Sequence, residues 1–163
     1  MTESDNERCL VSDHKALIIR WFDEVWNQGK RETIDELMPE DCVIHDGDTD
    51  TKGPAEFGVF FNRLRSSFSN MHVTPHEAIS DGDFVCLRWS ATMQHTGDGL
   101  GMPASHKQLH TSGISIVRIK EGRFAEAWQN WDMLGLMQQI TNAAAPVKLY
   151  MGQSTNAAVG GQP

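Results

Sequence analysis

What most narrows the folds open to this chain is a change in the spacing of its apolar residues near Asn70. Before that point they recur at intervals of three and four, as in Leu17, Ile18, Trp21, Phe22, Val25 and Trp26, and again in Phe57, Phe60, Phe61, Leu64 and Phe68. Each set forms one stripe along a helix. Beyond it the period is two: Val85, Leu87, Trp89, Ala91 and Met93 alternate with Phe84, Cys86, Arg88, Ser90 and Thr92, as on the two sides of a pleated strand. A helical period does not sit still as a strand. The class is therefore α+β, with N-terminal helices packed on a curved antiparallel meander.

Local signals set the boundaries. Ser12 or Asp13 caps the first helix and Gly29 stops it; a short helix over Glu32 to Met38 halts before Pro39. Asp41 to Asp46 reads as a strand and GDTDTKG as a loop, and Pro54 opens the third helix at its first position. Strands follow over Met71 to Ser80, Phe84 to Thr96, Lys107 to Lys120 and Arg123 to Asp132, with hairpin turns at Asp81-Gly82 and Glu121-Gly122. A last helix covers Met133 to Ile140. The length suits one domain, residues 13–140, with a flexible N-terminus over 1–12. The small, polar tail over 141–163 is either disordered or ordered against a partner subunit.

The charge of −8, with no basic cluster longer than a dipeptide, argues against nucleic acid or an anionic membrane as partner. The opening MTESDNERCLVSDHK lacks the basic and apolar runs of a secretion signal, and no stretch is apolar enough to span a membrane, which points to the cytoplasm. Cys9, Cys42 and Cys86 have the unpatterned spacing of reduced thiols, and Cys42 and Cys86 read as small core residues. His72 and His76 have helical metal-ligand spacing, but Pro75 and the strand period separate them, so no metal site is expected.

Chemistry gathers at the end of the last strand. Phe124, Glu126, Trp128, Asn130 and Asp132 share one face by parity, opposite Ala125, Ala127, Gln129 and Trp131. If the first set faces the helices, Asp132 shares a half-apolar cavity with Trp128 and Asn130. A bulge near Asn130 would swap the faces beyond it. Desolvation against indole rings penalises the charged form of a carboxylate and suits it to acid/base work. The competing reading makes Asp132 the N-cap of the following helix. His45, His95 and His110 lie at strand ends where a histidine can orient a carbonyl or relay a proton, and where each also reads as a satisfied polar residue. Arg88, alone on its face, can pair with Asp132 or Glu126, hold a substrate carbonyl, or extend to solvent. Trp89 joins Trp128 and Trp131 as an indole able to desolvate Asp132, and Phe61 belongs to a core stripe whose pocket-facing members can touch ligand.

The segments GPAEFGVFFNRLRSSFSNMHV, SDGDFVCLRWSATMQHTGDGLGMP and SGISIVRIKEGRFAEAWQNWDMLGLMQQI resemble the SnoaL-like polyketide cyclases, or ester cyclases, of the NTF2-like superfamily, over roughly Asp13 to Ile140. The resemblance implies a cone in which a bent antiparallel sheet wraps a deep apolar pocket closed by the N-terminal helices. It implies ring closure of a polyketide ester by intramolecular aldol condensation, with no metal and no organic cofactor, and pairing of the outer sheet face with a second copy. The match to WQNWD puts the family's catalytic aspartate on Asp132. The expected site has Asp132 and His110 as catalytic groups, and Trp128, His45, His95, Arg88, Trp89, Phe61 and Asn130 around a small apolar or aromatic ligand. The loop GMPASHKQ departs from the glycine and threonine that usually follow the proline in this family, near the expected pocket mouth. Two other chemistries of the superfamily fit less well. Ketosteroid isomerases use a pocket tyrosine, whereas the single tyrosine here is Tyr150, and limonene epoxide hydrolases need an acid where Ser90 follows Arg88. The alternative to an enzyme is a binding or assembly module on the same fold.

Overall fold

In the computed structural model, residues 14–142 are described. Helix α1, residues 14–27, begins in α form and passes into π form over Phe22–Asn27, burying Ile18, Trp21, Phe22, Val25 and Trp26. Its wide final turn is tied to β3 and α3 by side-chain-to-backbone bonds. Asn27 donates from Nδ2 to the Val73 carbonyl (3.0 Å) and accepts from the Val73 amide (2.6 Å), while Arg65 Nη1 donates to the Trp26 carbonyl (3.0 Å). Gly29, at φ 72°, turns the chain toward α2, Arg31–Leu37. The expected caps Ser12 and Asp13, the flexible N-terminus and the tail beyond Asn142 lie outside the described residues.

Strand β1, Val43–Asp46, is followed by β2, Thr49–Lys52, where the sequence predicts a loop. TDTK lacks apolar alternation, yet its backbone pairs antiparallel with β1 as an exposed edge strand, which needs no buried side chains. Helix α3, Gly53–Ser67, starts with Pro54 in its first turn and presents Phe57, Phe61 and Leu64 to the core. Then come β3, Phe68–Asp81; β4, Phe84–His95; β5, Gln108–Lys120; β6, Arg123–Trp131; and α4, Met133–Thr141.

The six strands form one sheet in the order β2-β1-β6-β5-β4-β3, antiparallel except for β1 against β6. Two register shifts in β3 bend the edge, where Pro75 is tolerated. The helices cover one face, termed inner, and the core lies there: Val85, Leu87 and Trp89 of β4, Leu109, Val117 and Ile119 of β5, and Phe124 of β6 meet the aromatic stripes of α1 and α3. Trp21 packs at 4.8 Å from Phe124 and 5.4 Å from Phe57. Among the described residues no helix is long and apolar enough to cross a membrane. Cys42 is buried as expected, but Cys86 is half-buried on the outer face.

One irregularity reverses an expectation. In the β5–β6 ladder Arg118 pairs with Glu126 and Ile119 with Phe124, so Ala125 is an extra residue on β6. Phe124 and Ala127 both point inward, and beyond the bulge Gln129 and Trp131 keep the inner face. Glu126 and Trp128 turn outward, and Asn130 borders both the outer groove and the inner side. Strict parity from Phe124, which assigns Trp128, Asn130 and Asp132 to the helix-covered side, fails at that one inserted residue.

Candidate functional site

Between α1, α3 and the inner sheet face lies an apolar cavity of about 60 Å³. Phe22 and Trp26 come from α1, Phe60 and Leu64 from α3, Met71 and Val73 from β3, Trp89 and Met93 from β4. Thr111, Gln129 and Trp131 supply its few polar atoms. This deep part has room for about two waters. It shares Phe60, Gln129 and Trp131 with a wider mouth of about 470 Å³, whose other walls include Ile44, Asp46, Thr49 and Thr51 of the β1–β2 hairpin, Arg63 of α3, Asn130 and Met133.

The polar groups of the mouth are placed by strand register. Parallel pairing sets Ile44 beside Ala127 and Asp46 beside Gln129, so the short strand β1 delivers its terminal carboxylate to the inner side of the sheet. Trp131 Nε1 donates to Asp46 Oδ2 at 3.0 Å. The Gln129 amide lines both the deep cavity and the mouth, and no hydrogen-bond partner for it occurs among the described residues. Arg63 donates from Nε to the Gly99 carbonyl (2.8 Å), which ties α3 to the loop after β4. Deeper in, Trp89 Nε1 donates to the buried Ser115 hydroxyl at 3.0 Å.

Of the nine site residues expected from the sequence, Trp89 lines the deep cavity and Asn130 reaches the mouth. The others lie elsewhere. Asp132 is exposed and caps α4, its Oδ1 accepting from the Gly135 amide at 2.7 Å. It borders an outer groove of about 810 Å³ with Arg88, Ile114, Ile116 and Trp128. The expected neighbours are thus assembled, but on the solvent side of the sheet, and the desolvated acid is not found at this position. Arg88 is clasped by Glu77, at 2.6 and 3.1 Å, and not by Asp132. That guanidinium bond holds the Glu77 carboxyl down at about 2.

His45 points outward because it alternates with Asp46. It stacks on Trp128 (5.6 Å, 23°) and bonds through Nδ1 to Asp50 (2.7 Å) and through Nε2 to Glu126 (3.1 Å). Asp50 first and Glu126 second raise its pKa. His110 is exposed on the outer face, with its backbone braced by Gln139. His95 is buried beneath the loop after β4. Its Nδ1 accepts from the Ser105 amide at 3.1 Å, and its Nε2 has no partner among the described residues. Phe61 packs against Trp26 in the core, while its neighbour Phe60 reaches the cavity. Three mouth residues, Asp46, Gln129 and Trp131, are missing from the expected set. Alternation within β1 separates Asp46 from His45, but only the Ala125 bulge reveals that Gln129 and Trp131 are its companions.

The sequence profile of the SnoaL-like polyketide cyclases matches residues 16–140. The chain is similar to the aklanonic acid methyl ester cyclase of Streptomyces peucetius, with 24% identity over 128 residues that cover 76% of this chain and 88% of that protein. A crystal structure of a candidate polyketide cyclase from Acidithiobacillus ferrooxidans matches with a TM-score of 0.71 and 27% identity, over 81% of this chain and 96% of that one. A candidate hydroxylase from Streptomyces galilaeus matches with a TM-score of 0.75 and 19% identity, over 85% and 87% of the two chains, a likeness of fold alone.

Proposed function

The chain belongs to the SnoaL-like polyketide cyclase family, and from that premise we propose that it is a cofactor-independent enzyme closing a ring in a small polyketide-like ester by intramolecular aldol chemistry. The observation that carries this reading is the inner-face cavity, apolar at its deep end and polar at its mouth. Small-molecule sites combine predominantly apolar walls with a few placed polar groups, in volumes of roughly 300–1,000 Å³. The deep part alone is too small for a fused ring system. The body of the ligand therefore occupies the mouth, with one arm inserted between Phe22, Trp26 and Trp89, and the reacting carbons lie among the polar side chains.

Aldol closure needs a base for a proton on carbon between two carbonyls, a donor for the oxygen of the carbonyl under attack, and an acid for the new alkoxide. The relative from S. peucetius acts, by its name, on aklanonic acid methyl ester, which supplies the first substrate to try. The expected result is a ring-closed product of unchanged mass, formed at the same rate with a chelator present. Failure to bind the ester, or binding without conversion, sinks the proposal.

A second reading is a non-catalytic binding module. It is favoured by a specific feature: the β6 residues lining the cavity are Gln129 and Trp131, neither of them a carboxylate, and Asp132 is engaged as a helix cap. That reading expects saturable binding of the ester and no turnover. In either case we propose a homodimer through the outer sheet face, where Phe84, Ile114 and Ile116 are exposed.

A further inference from the structure

We propose that Asp46 is the proton-transferring carboxylate of the inner site, an assignment that rests on the enzymatic reading above. Among the described residues, Asp46 is the one carboxylate lining either the deep cavity or its mouth. The Ala125 bulge and the cap to Gly135 remove Asp132 from contention, and His45 and His110 face outward. Asp46 remains because it ends the one strand that pairs parallel with β6, opposite Gln129.

Its geometry suits the task. The Trp131 indole donates to Oδ2 at 3.0 Å and fixes the carboxylate plane. Oδ1 has no partner among the described residues and is left to substrate. In the step assigned here, Oδ1 takes the proton from the carbon between two carbonyls, and the C–H pair becomes the enolate. The enolate carbon bonds to the ketone carbon, whose π pair moves onto oxygen. That alkoxide recovers the same proton from Asp46, so the substrate is isomerised with no co-reactant. The Gln129 amide and the terminal nitrogens of Arg63, both in the mouth walls, are the donors available to the developing oxyanion.

Aklanonic acid methyl ester is the probe, with binding followed by quenching of tryptophan fluorescence, since Trp26, Trp89 and Trp131 line the cavity. Asp46→Asn keeps an oxygen for the Trp131 indole but cannot carry the proton, and general-base loss costs roughly 10²–10⁴-fold in rate. The expected result is a fall in kcat of that size with ester affinity unchanged, while Asp132→Asn keeps wild-type turnover. If Asp46→Asn does not fold, Asp46→Glu decides: a displaced carboxylate should lower kcat with KM unchanged. Wild-type kcat in the Asp46 variant that folds, or loss of turnover in a folded Asp132→Asn, overturns the assignment while the enzymatic reading stands. A wild-type protein that never converts the ester overturns both.

Discussion

Gly135 occupies the third position of α4, where alanine ordinarily steadies a helix by about 1 kcal/mol relative to glycine. Here a Cβ would run into the Asp132 carboxylate that the Gly135 amide holds. Gly135→Ala is therefore expected to lower the melting temperature, and a rise would show that the cap is not formed. Asp132→Ala should cost about 1 kcal/mol and Asp132→Asn far less, because asparagine caps equally well; urea unfolding of the pair tests the cap, and equal losses in both would refute it. Ser115→Ala is a test of burial. It leaves the Trp89 indole N–H without its acceptor at an almost fully buried site, a loss of about 1–3 kcal/mol readable by urea titration. The capping role of Asp132 could be read from the sequence, because a carboxylate three residues before an amide is a local relation. Its exposure could not, since that depends on which way a strand nine residues long happens to face.

The order of elements follows from the change of apolar period, and five of the six strands are legible because each buries one face. β2 is not, since it is held by backbone pairing and by the polar Asp50–His45 contact and buries no apolar face. The bulge at Ala125 leaves no mark in a small, unremarked residue, yet it exchanges Trp128 and Asp132 for Gln129 and Trp131 at the cavity. The π-helical end of α1 is likewise set by tertiary partners. Asn27→Ala removes both bonds to Val73, should cost about 2 kcal/mol from lost backbone pairing, and should weaken ester binding because Phe22 and Trp26 sit in that turn. On the outer side, the β1–β2 hairpin is fastened to β6 through His45, whose pKa is raised by Asp50 and then Glu126, and Glu126 is itself held down chiefly by His45. A raised histidine stabilises fully below its unfolded value and ceases to do so as pH climbs through its folded value. A lowered glutamate stabilises above its unfolded value and fails as pH falls through its folded one. The melting-temperature gap between wild type and His45→Gln should thus be widest in mildly acidic solution, between those two limits, and close at alkaline pH. A gap independent of pH would mean that the imidazole contributes by stacking on Trp128 alone.

A sheet with helices on one face leaves the other to solvent or to a partner. Here that outer face carries Ile79 (68% exposed), Ile114 (47%), Phe84 (44%) and Ile116 (40%), with Trp128 half-buried beside them. Four large apolar side chains on adjacent strands are the observation on which the proposed homodimer rests. A second copy applied through a twofold axis would cover the same patch on both chains and close the outer groove over Arg88 and Asp132. The wild type should then scatter light as a dimer, and Ile114→Glu with Ile116→Glu should yield monomers. Because the cavity opens on the opposite face, those monomers should bind the ester as the dimer does, with turnover per chain preserved. A wild type that stays monomeric at high concentration removes the dimer. A dimer whose disruption abolishes turnover in folded monomers would instead return the chemistry to the outer groove, and to Asp132.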